Sequence, residues 1–242
     1  DPYCPLKRGA ALLWEIRSLD LDGICRSGVL AMLACAPAAI LAGVALWLGS
    51  LPLCLLAAAA AGWLVGPALT CLYDTILRAL RDEPGFWWHT YKRVWKQSFK
   101  SSLVPGAVFT LLWALVAYAA FVLPQMTTVS AGFALVLVLD MVLLLTLGSY
   151  YWMQNALFDA PVSKTLSNSV RMFLGFLPRT ALSAVFQLGY WLLMAAVIPR
   201  CAFIFLLTGL WVPNLLAMLA VYAPIEKSLH LEEQIQAKRE ND

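Results

Sequence analysis

The sequence predicts an all-α protein: a polytopic membrane bundle of six transmembrane helices, both termini cytoplasmic, with amphipathic surface helices on the cytoplasmic side. Three observations carry that prediction. Six long apolar stretches, 28–49, 51–73, 103–123, 131–153, 180–198 and 202–223, make up more than half of the 242 residues. Each is about 19–23 residues long, and a helix needs about 20 to cross the hydrocarbon core of a bilayer. Five of them hold no formal charge, and the fourth holds one, Asp140. All of the 17 Lys and Arg residues except Arg200 fall in segments that six crossings place on one side. Cytoplasmic loops carry such an excess, so both ends of the chain are expected inside. With 62% hydrophobic and 13% charged residues and a mean hydropathy of +0.76, a water-soluble fold is excluded. A net charge of +3 is too small to indicate nucleic acid, and the cations act as topology signals beside anionic headgroups.

Residues 1–225 are read as one transmembrane domain and 226–242 as a charged cytoplasmic tail. In 1–27 no apolar core precedes a cleavage-like site, so no secretory signal is read. Leu12, Leu13, Ile16, Leu19 and Ile24 alternate with Glu15, Arg17, Asp20 and Asp22, the pattern of an interfacial helix leading into the first span. The second span carries the small-residue stripe Ala58, Gly62, Gly66, whose Gly-x-x-x-Gly spacing lets two helix backbones approach closely, within the bundle or between subunits. Pro37, Pro67 and Pro213 lie inside spans as candidate kinks.

After the second span comes FWWHTYKRVWKQSFK over 86–100. On a helical wheel Trp88, Tyr91, Trp95 and Phe99 form one stripe, flanked by Lys92, Arg93, Lys96 and Lys100. This segment is expected to lie as a surface helix at the cytoplasmic interface, facing lipid or a docking partner. The fourth span brings Asp140 to bilayer depth, where a carboxyl group is costly unless neutral, paired or hydrated. It is expected to face the bundle interior, hydrogen-bonded to Gln187, Asn214 or Thr208, or to serve an ionisable relay. A second amphipathic helix follows, with Val162, Leu166, Val170, Phe173 and Leu177 at helical spacing. The segments YDTILRALRDEP (73–84) and YYWMQNALFDAP (150–161) align with matched Tyr73/Tyr150, Ala79/Ala156, Leu80/Leu157, Asp82/Asp159 and Pro84/Pro161. A duplicated span–surface helix–span unit would give such a pattern.

Catalytic signals are absent from the sequence. His89 and His230 lie in polar segments with no nucleophile or acid beside them, and no phosphate loop, metal-ligand pair, cofactor fingerprint or nucleophile elbow is present. The six cysteines, Cys4, Cys25, Cys35, Cys54, Cys71 and Cys201, show no paired spacing. A spatial constellation of Ser149, Asp140 or Ser183 leaves an intramembrane hydrolase open, because such sites follow no spacing rule.

The run GPALTCLYDTILRALRDEPGFWWHTYKRVWKQSFKSSL resembles the signature of the YesL-like family of bacterial membrane proteins. There a leucine-rich helix and an acidic turn lead to an aromatic-basic stretch of the F-x-x-x-F-K-x-N-F-K type. Trp95, Lys96, Phe99 and Lys100 stand where those residues recur, and Gln97 or Ser98 replaces the asparagine. The segment NALFDAPVSKTLSNSVRMFLGFLP resembles the family's later cytoplasmic loop. The resemblance implies a role in carbohydrate import, as a non-catalytic accessory subunit whose partners would be ABC transporter permease or ATPase subunits. Two alternatives stand beside it. One is a divergent permease subunit, because 159–178 has part of a coupling-helix pattern. The other is an inner-leaflet enzyme acting on lipid or a lipid-linked substrate.

Overall fold

The computed structural model describes residues 21–80, 86–122, 125, 131–158, 160–197, 205 and 208–229. Seven helices account for nearly all of them: α1 (Leu21–Trp47), α2 (Leu51–Leu80), α3 (Trp87–Val122), α4 (Ala131–Leu157), α5 (Val162–Gly175), α6 (Leu177–Val197) and α7 (Trp211–Leu229). There is no strand among the described residues. Four helices, α1 to α4, are long and apolar enough to cross a membrane. The fifth apolar stretch falls on α6 and the part of the sixth from Trp211 on α7. Arg179 interrupts the first turn of α6, and α7 is apolar over Trp211–Tyr222. The interfacial helix expected in 1–27 lies mostly outside the described residues; its last part, from Leu21, is the unbroken start of α1. The tail beyond 229, the turn at 199–201, and the repeat positions Asp82, Pro84 and Asp159 also lie outside them.

Helix α1 opens on an exposed i,i+4 ion pair, Asp22–Arg26 at 2.6 Å, with the acidic partner at the positive end of the helix dipole. It ends where Gly49 takes a left-handed φ of 64°. The amides of Gly49 and Ser50 then turn back onto Leu46 and Ala45 carbonyls at 2.9 and 3.0 Å, which satisfies acceptors that the helix end would orphan. The chain reverses at once into α2.

Helix α2 is the axis of the molecule. In its most apolar window 61% of residues are buried, against 11–22% in α1, α3 and α4. Its seam with α3 is made of small residues. A Cβ on Gly62 would run into the Ala107 backbone and the Thr110 hydroxyl, and one on Gly66 into the Ser102 carbonyl and Gly106. A Cβ on Gly106 would meet Gly62 and Gly66 in return. Thr110 closes the seam by donating to the Ala58 carbonyl at 2.7 Å. The stripe Ala58, Gly62, Gly66 is thus used inside one chain, where close backbone approach replaces the driving force that apolar side chains lack in lipid.

Contacts gather the start of α1 and α3 and the ends of α2, α4 and α7 at one end of the bundle. The main core lies there: Ile24, Leu72, Tyr73, Ile76, Tyr150, Trp152, Met218 and Ile225 are all buried in it. At the opposite end the buried cluster is small, made of Ala45, Cys54, Ala58 and Ala114.

Two expectations change here. Residues 86–100 do not form a separate surface helix; from Trp87 on they are the first part of α3, which runs for 36 residues through Pro105 without a break. Nor do its aromatics form one exposed stripe. Tyr91 is buried, Trp95 half-buried, and Trp88 and Phe99 exposed, because Tyr91, Val94 and Ser98 turn toward the bundle. The second amphipathic helix, α5, is separate, and of the two settings open to its apolar side, headgroups or bundle, it takes the one facing away from the bundle. Thr165, Ser169 and Met172 pack inward, while Val162, Leu166, Val170 and Leu174 face out.

Candidate functional site

The basic aromatic end is built on the start of α3. The aromatic ladder Trp87, Trp88, Tyr91, Trp95 stacks or tilts with successive ring centroids 5.5–6.1 Å apart. Two cations cap it: the Arg26 guanidinium 5.7 Å from the Trp87 ring and the Lys92 ammonium 4.7 Å from the Trp88 ring. The ladder is fixed to the bundle by a directed chain of hydrogen bonds. The Trp87 indole donates to Ser27 Oγ at 2.7 Å. Thr75 spends its proton on the Cys71 carbonyl at 2.8 Å. Ser27 therefore donates to Thr75 Oγ1 at 2.9 Å. Lys92, Arg93, Lys96 and Lys100 all point outward, and among the described residues none of the four is in an ion pair.

Beneath this end lies a buried polar layer. Asn155 Nδ2 donates to both Thr70 Oγ1 and Ser102 Oγ at 3.0 Å, tying α4 to α2 and α3. Thr70 donates onward to the Gly66 carbonyl at 3.0 Å, so Ser102 is the donor in the 2.9 Å Ser102–Thr70 contact. Next to it, Gln154 donates to Ser169 Oγ at 2.9 Å and ties α4 to α5. Tyr150 donates to Thr180 Oγ1 at 3.1 Å, because the Thr180 proton is committed to the Phe173 and Phe176 carbonyls. Thr70, Tyr150 and Thr180 sit just inside the ends of apolar stretches and Ser102, Gln154 and Asn155 just outside them, where a polar side chain in sequence reads as a loop margin. Their helical spacing on facing elements was the only signal of burial.

Between the polar layer and the sparsely packed end lies an open-sided cavity of about 370 Å³ lined by α1, α2, α3, α4, α6 and α7. Alanines on three helices, among them Ala42, Ala61 and Ala114, hold it open, with Phe109, Trp113 and Trp191 as its large walls. No lining residue is charged. Its polar lining groups are largely engaged with protein. Tyr73 donates to Asn214 Oδ1 at 2.9 Å, and Asn214 Nδ2 donates to the Leu210 carbonyl at 2.8 Å. Gln187 donates to Ser149 and Ser183 hydroxyls at 3.2 and 3.1 Å. One group differs. Trp152 is 2% exposed and its indole N–H has no acceptor.

The structure brings Gln187 and Asn214 to one cavity wall and leaves Asp140 off it. Asp140 is exposed on the outer face of α4, beside Leu139 and Leu143, with no partner among Gln187, Asn214 and Thr208. Thr208 is instead 3.0 Å from the Tyr190 hydroxyl. The sequence could not orient Asp140, because the first five turns of α4 are apolar on every side and no stripe marks the inner face. Among the described residues no cluster of His, Cys, Asp and Glu could hold a metal ion.

A family described as a protein of unknown function, DUF624, matches residues 45–119. Those residues take in all of α2 and α3 up to its last turn, and with them the glycine seam and the basic aromatic end. No curated protein matches the chain, and no solved structure does.

Proposed function

We propose that the chain is a non-catalytic, six-span protein of the cell membrane, with both termini cytoplasmic, serving as an accessory subunit of a carbohydrate ABC uptake system. Its docking surface is the outward side of the first turns of α3. The observation that carries the reading is the set of four cations, Lys92, Arg93, Lys96 and Lys100, held outward, with no ion pair among the described residues, on a helix bonded to its neighbours. Flexible surface lysines lose entropy on binding; cations on a fixed helix backbone present a pre-arranged pattern to an acidic partner. The resemblance to YesL-like proteins, carried by 66–103, lies inside the matched residues 45–119 and supplies the carbohydrate-uptake context.

The test is replacement of all four cations by glutamine, co-expressed with the permease and ATPase subunits of such a system. At a few tenths to about 1 kcal/mol per cation, co-purification should fall roughly tenfold or more at unchanged insertion. Association at the wild-type level, with the segment turned protease-sensitive or the topology mixed, would reduce these cations to a membrane anchor.

A further inference from the structure

We infer that the outer face of α4 joins two copies of the chain, with the Asp140 carboxyl of one hydrogen-bonded to the partner's Asp140. The inference stands apart from the docking surface and requires only that α4 crosses a membrane, for which it is long and apolar enough. Asp140 is the one formal charge in the six apolar stretches, so no other span of its own chain offers it a counter-charge. Among the described residues it has no hydrogen bond or ion pair. A carboxyl group left facing hydrocarbon is costly. A hydrogen-bonding group at the same depth, brought from outside the chain, removes that cost.

The row of α4 that holds Asp140 shows what kind of element brings the group. It runs from Phe133 and Val136 through Asp140, Leu143 and Leu147 to Tyr150 and Gln154, in alternating steps of three and four. That is the spacing along which one helix lies against another. The second half of the row is already covered by helices: Tyr150 donates to Thr180 of α6 at 3.1 Å, and Gln154 to Ser169 of α5 at 2.9 Å. The first half is bare. Nothing in 131–143 is buried, and Phe133, Val136 and Leu143 are 42–54% exposed. Each polar residue of the covered half bonds to the helix that covers it, and Asp140 is the polar residue of the bare half. The row lies about 150° around α4 from the cavity walls Leu145, Gly148 and Ser149, so the chain's own bundle does not close over it. A second copy meets the requirement without further coincidence. Copies inserted with one topology are related by a two-fold axis along the membrane normal, which sets a residue opposite itself at the same depth. Helix α4 then meets α4 in parallel, apolar residue on apolar residue and carboxyl on carboxyl. Two carboxylates would repel; with a proton between them, the O–H of one donates to an oxygen of the other. One polar residue in such an apolar row fixes the register of the paired helices.

The experiment uses the full chain, purified and reconstituted alone in phosphatidylcholine vesicles. Dimers are counted by two-step photobleaching of a C-terminal fluorophore over a series of lipid dilutions, and the interface is mapped by disulfide formation at added cysteines. Val136→Cys and Leu143→Cys should cross-link between copies well above the parent chain, whose own cysteines set the background. Val138→Cys, 49% exposed but on the opposite side of the helix, should not. Asp140→Leu should weaken association by roughly five- to thirtyfold, the worth of one polar contact between membrane helices. Asp140→Asn, whose amide both donates and accepts, should keep most of it. The pair joins copies and adds nothing to the fold of one, so each variant is expected to insert as the parent does. A chain that stays monomeric in the bilayer overturns the inference and leaves the face to a different protein or to lipid. So does cross-linking that is equal at Val136, Leu143 and Val138, or association unchanged in Asp140→Leu.

Discussion

Between Trp87 and Val122 the chain is a single helix, while between Val162 and Val197, a run of equal length, it is two helices parted at Phe176. Both runs contain an internal proline, Pro105 in the first and Pro178 in the second, so loss of one amide donor does not by itself decide where a helix breaks. Packing decides it. On either side of Pro105, Ser102 and Gly106 are buried against α2, and Asn155 reaches across to bond Ser102. A bend there would open the glycine seam and the polar layer together. Around Pro178 nothing comparable resists. Gly175 meets no neighbour, Phe176 leaves helical geometry at φ −123° and ψ 45°, and Pro178 falls in the first turn of α6, where a missing amide costs no helical hydrogen bond. The Phe176 carbonyl accepts the Arg179 and Thr180 amides at 2.9 and 3.0 Å, and the Thr180 hydroxyl donates to the Phe173 and Phe176 carbonyls at 3.1 and 3.2 Å. Once freed, α5 can turn Leu166 and Val170 outward, as a helix resting in the headgroup region requires.

The comparison is broken most readily at its glycines. Gly106→Ala places a methyl into Gly62 and Gly66 and should lower stability by about 1–3 kcal/mol or more. Gly189→Ala on α6 meets nothing and should be neutral or stabilising by up to about 1 kcal/mol, because alanine is the better helix former. Thermal unfolding of the two variants in one detergent measures the difference, and equal losses would mean that the seam is not what holds α3 straight. A smaller effect is expected at the hinge. Thr180→Val removes the hydroxyl that serves Tyr150 and two carbonyls, and should cost about 1–2 kcal/mol. Amide exchange should rise locally around Phe176 while α3 is unchanged; a rise of equal size in both would join the two regions into one unit. The smallest effect belongs to Asp140→Leu, which should leave thermal stability within about 0.5 kcal/mol of wild type or raise it, since no described neighbour loses a partner. A clear loss would reveal a contact for the carboxylate.

Sequence alone made the helical class legible because six apolar stretches of membrane-crossing length have no soluble counterpart, and it made the Gly62–Gly66 seam legible because close packing leaves a spacing rule. It could not show that 86–100 continues into the next span. A helical wheel describes which residues share a face and carries no information on whether the axis bends. The cavity was half legible. Gln187 and Asn214 stood out as amides in apolar surroundings, yet their partners, Ser149 and Ser183 for one and Tyr73 for the other, come from elements distant in sequence. Trp152 gave no signal at all, because a tryptophan near a span end is ordinary until its N–H is seen to be orphaned. The tyrosines aligned in the two similar segments do share a setting: Tyr73 and Tyr150 are both buried in the main core, each donating to a later helix.

At about 1.5 Å per residue, the 36 residues of α3 extend about 54 Å, well beyond the roughly 30 Å of bilayer hydrocarbon. The glycine seam at Gly106 divides that length into a long arm back to Trp87, about 28 Å, and a short arm forward to Ala117, about 16 Å. With no joint between them, the long arm holds Lys92 and Lys100 at fixed distances of about 21 and 9 Å along the axis from Gly106. The level at which the seam sits in the bilayer therefore sets the depth of all four cations at once.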